Sequence, residues 1–210
     1  MPTEMPDRAG VAFVLGGGGR LGAHEVGMLQ ALFERGVRPS LIVGTSVGAI
    51  NGAVAATDPV AATGDRLAEV WSRIERSAVF DGSIVSRLVT LARTRTHVHA
   101  DDALRDLLAG ALPARIEDLA VPFQCVAASI ERASEHWFTS GPLVDAVMAS
   151  AAVPGLLPPV ELGGEHFLDG GRASAAAGAA TSLGTPARAA TRSPVRLWAG
   201  SCAARASSSV

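Results

Sequence analysis

Residues 11–29 read VAFVLGGGGRLGAHEVGML, an apolar run, four consecutive glycines and then apolar residues at helical spacing. The continuous apolar stretch at 11–15 predicts a buried strand. From Ala23 onward Val26, Leu29 or Gln30, Leu32 and Phe33 recur on one helical face, and Gly36 supplies a stop. A glycine turn between a strand and a helix can do either of two things. It can cradle the phosphates of a nucleotide, since Gly17, Gly19 and Gly22 spell G-x-G-x-x-G. It can equally set backbone N–H groups around an oxyanion that exists only during a reaction.

The following residues extend the pattern. A second strand is expected at 40–43, a turn at 44–48 and a small-residue helix at 47–56. Strand, helix, strand, helix predicts a parallel sheet with right-handed crossovers. The region 59–112 reads as helical. Leu67, Val70, Trp71 and Ile74 form one stripe, and Ile84, Leu88 and Leu91 a second. A third helix carries Leu104, Leu107 and Leu108, with Asp101 or Asp102 as its cap. Strand character returns at 122–130, with EHWFTSG as a pairing partner, and a short helix follows at 143–150. PPVELGGEHFLDGG then reads as two strands around a Gly-Gly turn, the second ending at Asp169. Residues 172–210 contain no acidic residue and are dominated by Ala, Ser, Arg, Gly and Thr. They are expected to form a tail that does not fold, for which a frameshifted or truncated reading frame is one origin. The division is therefore an N-terminal extension at 1–9, a domain at 10–171 and the tail.

Composition narrows the function. The 210 residues suit one domain, and 48% hydrophobic against 18% charged residues can bury a full core. A net charge of −2 gives no basic surface for nucleic acid. All 18 basic residues are Arg, so the lysine of a P-loop is missing. Two cysteines, Cys125 and Cys202, make neither a disulfide framework nor a metal motif, which points to a reducing, cytoplasmic setting. The N-terminal residues show no apolar signal region, and no run of eighteen apolar residues predicts a membrane span. Contact with a membrane surface stays open.

The residues GTSVG at 44–48 place Ser46 in G-x-S-x-G between a predicted strand and a predicted helix. Small residues at Gly44 and Gly48 let a nucleophile elbow form, with the Ser46 hydroxyl at a helix N-terminus where the dipole favours developing negative charge. A serine needs a base. Of the five histidines, His24, His97, His99, His136 and His166, none stands out. The HVH at 97–99 beside Asp101 and Asp102 lacks further ligands, so no metal or other cofactor is expected. Asp169 is the better candidate, because it ends the apolar FLD run before Gly170 and Gly171 and so lies at the carboxyl end of a strand expected to be parallel. Its alternative role is an Asx-turn to its own backbone. If Ser46 attacks a carbonyl, N–H groups of Gly17–Gly19 can receive the oxyanion.

Three rivals bound this reading. A dinucleotide-binding Rossmann domain expects an acid at the end of the second strand, where Gly44, Thr45 and Ser46 stand instead. A Ser–Asp–His hydrolase expects a histidine after the acid, and none follows Asp169. A non-catalytic module that binds lipid or protein is the third.

Taken together, GGGGRLG at 16–22, GTSVG at 44–48 and DGG at 169–171 resemble, in order and spacing, the patatin-like phospholipase family. ASAAVPGLLPPVELGGEHFLDGG is similar to its lead-in to the aspartate. The resemblance covers residues 10–171. It implies an α/β class of fold, a three-layer α/β/α arrangement with a mostly parallel central sheet, here incomplete at the C-terminus. It also implies hydrolysis of acyl esters of lipids or phospholipids by a Ser–Asp dyad without histidine. By that resemblance Ser46 is the nucleophile, Asp169 its base, and Gly17, Gly18 and Gly19 the oxyanion hole. Arg20, Gly22, Gly44, Gly48, Gly170 and Gly171 support the motifs; the family's basic loop residue stands directly before the last glycine, where this chain has Leu21 preceded by Arg20.

Overall fold

The computed structural model describes residues 10–76 and 98–171. In chain order the elements are β1 Ala12–Leu15, α1 Ala23–Glu34, β2 Leu41–Thr45, α2 Val47–Thr57, α3 Thr63–Arg76, α4 Val98–Ala111, β3 Phe123–Ser129, β4 Ser134–Phe138, α5 Leu143–Ala151, β5 Val160–Leu162 and β6 Glu165–Asp169. Short 3-10 turns lie at Gly19–Gly22 and Ile116–Asp118. The extension at 1–9, the stripe of Ile84, Leu88 and Leu91 and the tail at 172–210 fall outside the described residues.

Local chemistry explains most element ends. Gly36 adopts φ 73°, and the N–H groups of Gly36 and Val37 bond back to Phe33 and Leu32 carbonyls at 2.9 and 3.0 Å, closing α1. Leu67, Val70, Trp71 and Ile74 are all buried on one side of α3. A fully buried side chain of this kind stabilises by about 1.5–3 kcal/mol, so this stripe holds the helix in place. α2 is buried along nearly its whole length, from Val47 to Ala56. Its run of Ala and Gly lets it sit between the sheet on one side and α1 and α3 on the other. One start differs from expectation. α4 begins at Val98, so Asp101 lies inside its first turn, where an acid favours the helix dipole, rather than before it as a cap.

The sheet is mixed, with four of its six strands running one way. β1, β2 and β3 are parallel neighbours, while β4 and β6 run antiparallel to β3, and β5 antiparallel to β6. The α/β class and the predominant strand direction agree with the sequence reading. The orientation of β6 does not, because Asp169 ends an antiparallel strand. Gly163 and Gly164 take φ 62° and 81°, the left-handed pair of a tight hairpin that reverses β6 against β5, and because packing sets β5 in the same direction as β3, β6 meets β3 antiparallel.

The pairing along β3 brings the ends of β2 and β6 together. β4 pairs with β3 from Cys125 to Ser129 and so occupies that edge. β2 pairs with Phe123–Val126 and β6 with Ala127–Ser129, so the two share the opposite edge, end to end. They approach from opposite directions. Thr45 stops opposite Val126 and Asp169 stops opposite Ala127.

The described helices cover one sheet face. Phe13, Ile42, Phe123, Cys125, Ala127 and Phe167 are buried on it, with α2 and α5 lying against the strands. The alternate residues look the other way: Val14 is 58% and Trp137 47% exposed, and Val43, Gln124, Ala128 and Leu168 are half-buried. β1, expected as a buried strand, is buried on one side among the described residues.

Candidate active site

Ser46 closes β2 and caps α2 with φ 56° and ψ −127°. A non-glycine residue in that region is strained, at a cost of order 1–3 kcal/mol, and is kept only where its surroundings enforce it. Two close approaches enforce it here. A methyl group on Gly44 would stand 2.5 Å from Ala49 Cα and 2.6 Å from the Gly48 carbonyl oxygen; one on Gly48 would stand 2.4 Å from the Leu15 carbonyl oxygen. Only glycine fits either place. Serine at an N-cap ordinarily bonds the first-turn amides with its hydroxyl, but the Ser46 hydroxyl makes no such bond. The Ser46 N–H donates to Ser150 Oγ at 3.0 Å.

The glycine loop lies beside this serine. A methyl on Gly17 would meet Ser46 Cβ at 3.1 Å and Oγ at 3.7 Å. Of the loop amides, that of Gly16 is taken by the Glu25 carboxylate and that of Leu21 by the Gly18 carbonyl. Those of Gly17 and Gly18 have no backbone acceptor among the described residues. Gly19 takes φ 56° and starts the 3-10 turn that carries exposed Arg20. Gly22 packs directly on α2 and α3, where a methyl would strike Val47 Cγ2 at 2.5 Å and Trp71 Cζ2 at 3.0 Å.

A buried polar chain braces the loop. Trp71 Nε1–H donates to Asn51 Oδ1 at 2.9 Å, and Asn51 Nδ2 donates to the Gly22 carbonyl at 2.9 Å and to Glu25 Oε2 at 2.8 Å. Burial raises the Glu25 pKa above its ordinary 4.5, against the lowering bonds from Asn51 and Gly16. Sequence reasoning missed Glu25, Asn51, Trp71 and Ser150 as site residues. Only Asn51 gave a local signal, as a lone polar residue within an otherwise small and apolar helix.

Asp169 is buried, with its N–H bonded to the Ala152 carbonyl at 2.9 Å. Its Oδ1 accepts the Gly171 N–H at 2.8 Å, which is the Asx-turn. Its Oδ2 is buried without a partner, and no hydrogen bond joins it to Ser46 here. A buried unpartnered carboxylate oxygen is uncommon and calls for a reason, of which a chemical role is one. Behind it, a methyl on Gly170 would stand 2.1 Å from the Val126 carbonyl oxygen and one on Gly171 2.9 Å from Asp169 Oδ1, so the chain turns away tightly against β3.

The histidines serve elsewhere. His24 Nδ1 lies 3.1 Å from the Leu21 carbonyl, His136 packs edge-on against Phe138 and tilted against Phe167, and His166 pairs with Glu131 at 2.8 Å, a bond that raises its pKa. His97 and the His99 side chain lie outside the described residues. Burial pushes the Cys125 thiol up to about 12, leaving it inert in the core. Among the described residues no group of His, Cys, Asp and Glu is arranged to hold a metal. No described helix is long and apolar enough to cross a membrane.

The family model for patatin-like phospholipase matches residues 13–202. An uncharacterised NTE-family protein of Mycobacterium tuberculosis is 34% identical over 161 residues, covering 77% of this chain and 42% of that protein. A lysophospholipase of Aspergillus terreus is 32% identical over 162 residues, covering 77% of this chain and 10% of its own length. The chain thus spans less than half the length of these curated relatives. Among solved structures, VipD of Legionella pneumophila overlaps with 79% of this chain and 46% of its own at a TM-score of 0.48 and 16% identity.

Proposed function

The chain belongs to the patatin-like phospholipase family, and from that premise we propose that it is a serine esterase acting on lipid acyl groups, of phospholipase A or lysophospholipase type. The observation that carries the reading is the meeting of three distant segments: the strained Ser46 elbow, the Gly17 loop packed on it, and Asp169, whose strand ends one β3 residue away.

In the proposed reaction Ser46 Oγ attacks the acyl carbonyl carbon as Asp169 Oδ2 takes the hydroxyl proton. The N–H groups of Gly17, Gly18 and Gly19 receive the oxyanion, a device whose individual donors are worth about 10²–10³ in turnover. Collapse breaks the ester C–O bond, and the leaving alcohol departs with the proton from Asp169. Water then attacks the seryl ester, gives its proton to Asp169, and Ser46 leaves reprotonated. Transfer requires Oγ and Oδ2 at about 2.6–3.2 Å, a contact that commonly tightens only with substrate bound. No cofactor enters. Residues 10–171 carry this chemistry in the proposal, with 172–210 outside it, and the protein works in the cytoplasm, touching membrane surfaces where its substrate lies.

The test is hydrolysis of lysophosphatidylcholine by the purified chain beside Ser46→Ala and Asp169→Asn. Both variants should fold and lose turnover. Asp169→Asn should melt close to the parent, because it keeps the oxygen that accepts the Gly171 N–H and replaces a buried carboxylate with a neutral amide of the same shape. Full activity in either variant rejects the dyad. A folded parent that neither hydrolyses ester nor captures a fluorophosphonate favours the non-catalytic binding module.

A further inference from the structure

The β2–β3 ladder contains an insertion at the point where the proposed nucleophile leaves the sheet. In a parallel pair, N–H bonds recur every second residue. The Ile42 N–H bonds the Pro122 carbonyl at 2.9 Å, in a register that pairs Gly44 with Cys125. Carried forward, this register directs the Ser46 N–H to the Val126 carbonyl. The structure instead has a hydroxyl between them. The Ser46 N–H donates to Ser150 Oγ at 3.0 Å, and Ser150 Oγ donates to the Val126 carbonyl at 2.7 Å. Ser150 is fully buried near the end of α5.

We propose that Ser150 is a positioning residue for the reaction, splicing its hydroxyl into the final rung of the β2–β3 ladder so that Ser46 stands off the sheet in its elbow conformation. The proposal rests on Ser46 being the nucleophile. A direct Ser46–Val126 bond would draw the Ser46 backbone toward β3 and away from φ 56°, ψ −127°. The inserted oxygen satisfies both backbone groups while holding them apart, and neither group has water to turn to at this depth. Because Val126 is next to Ala127, the partner of Asp169, the same rung also fixes the spacing between the serine and the end of β6.

Ser150→Ala removes the spacer. The measurement is turnover per titratable site: a fluorophosphonate probe counts competent Ser46, and lysophosphatidylcholine hydrolysis is divided by that count. Expected is a fall of at least tenfold in kcat per labelled site and in the labelling rate, KM little changed, with Ser150→Thr, which keeps the hydroxyl, recovering more activity than Ser150→Ala. Melting curves identify the folded fraction in each case, and limited expression of one variant leaves the other to decide. Wild-type kcat per site in folded Ser150→Ala, or equal losses in the alanine and threonine variants, overturns the inference. Labelling that persists in Ser46→Ala would instead overturn the nucleophile assignment, a distinguishable outcome.

Discussion

Two adjacent glycines should respond oppositely to the same substitution. In Gly17→Ala the added carbon stands 3.1 Å from Ser46 Cβ, whereas in Gly16→Ala it meets nothing within 4 Å. Neither glycine has a positive φ, so alanine strains neither backbone. Carbon atoms prefer about 3.5–4.0 Å, and Gly17→Ala must therefore move the loop and the serine apart by about half an ångström. Misplacement by about 1 Å can cost 10²-fold, and loss of one oxyanion donor about 10²–10³. The expected result is a kcat lower by about 10²-fold, or about 2.7 kcal/mol on the barrier. Stability should hardly change, since alanine at a compatible site gains about 0.4–1 kcal/mol through the unfolded chain, offsetting the contact strain. The assay is ester hydrolysis at saturating substrate beside a thermal melt for both variants. Gly16→Ala should match the parent in each. A Gly17→Ala protein within twofold of the parent, or a Gly16→Ala protein equally damaged, would refute the reasoning that the loop's contact with Ser46 governs turnover.

Glu25 binds its proton more tightly in the folded chain, so its contribution to stability is full below pH 4.5, declines as pH rises through its raised folded value and is flat above. Glu25→Gln should remove that slope, and melting curves that vary with pH identically in both proteins would count against it. Asn51→Leu removes the acceptor of the Trp71 indole N–H and the donor to the Gly22 carbonyl and Glu25, and should cost at least about 1–3 kcal/mol in denaturant titration. Cys125, with its thiol pushed up to about 12, should resist iodoacetamide at pH 8 in the native protein and react once unfolded, as peptide mapping would show.

The local geometry of the candidate site was legible in order. G-x-S-x-G between a strand and a helix encodes an elbow because Gly44 and Gly48 leave room for backbone on either side of Ser46. The Gly163–Gly164 pair encodes a hairpin because both residues take positive φ at little cost. The helical stripes of α1 and α3 follow from burial at period 3.6. FLDGG likewise encoded the Asx-turn that Asp169 Oδ1 makes with Gly171.

What tertiary structure alone decided was direction, register and support. Nothing within a few residues of Asp169 states that β6 runs against β3, or that β2 and β6 meet on one of its edges. Those facts depend on the sum of packing across the sheet, not on any one turn. The same holds for Ser150, 104 residues from the amide it receives, and for Trp71, 20 residues from Asn51. A sequence specifies conformation over the reach of one turn or one pleat, through sterics and local hydrogen bonds. Which distant polar groups find each other is settled only when burial removes water and leaves each donor a single acceptor.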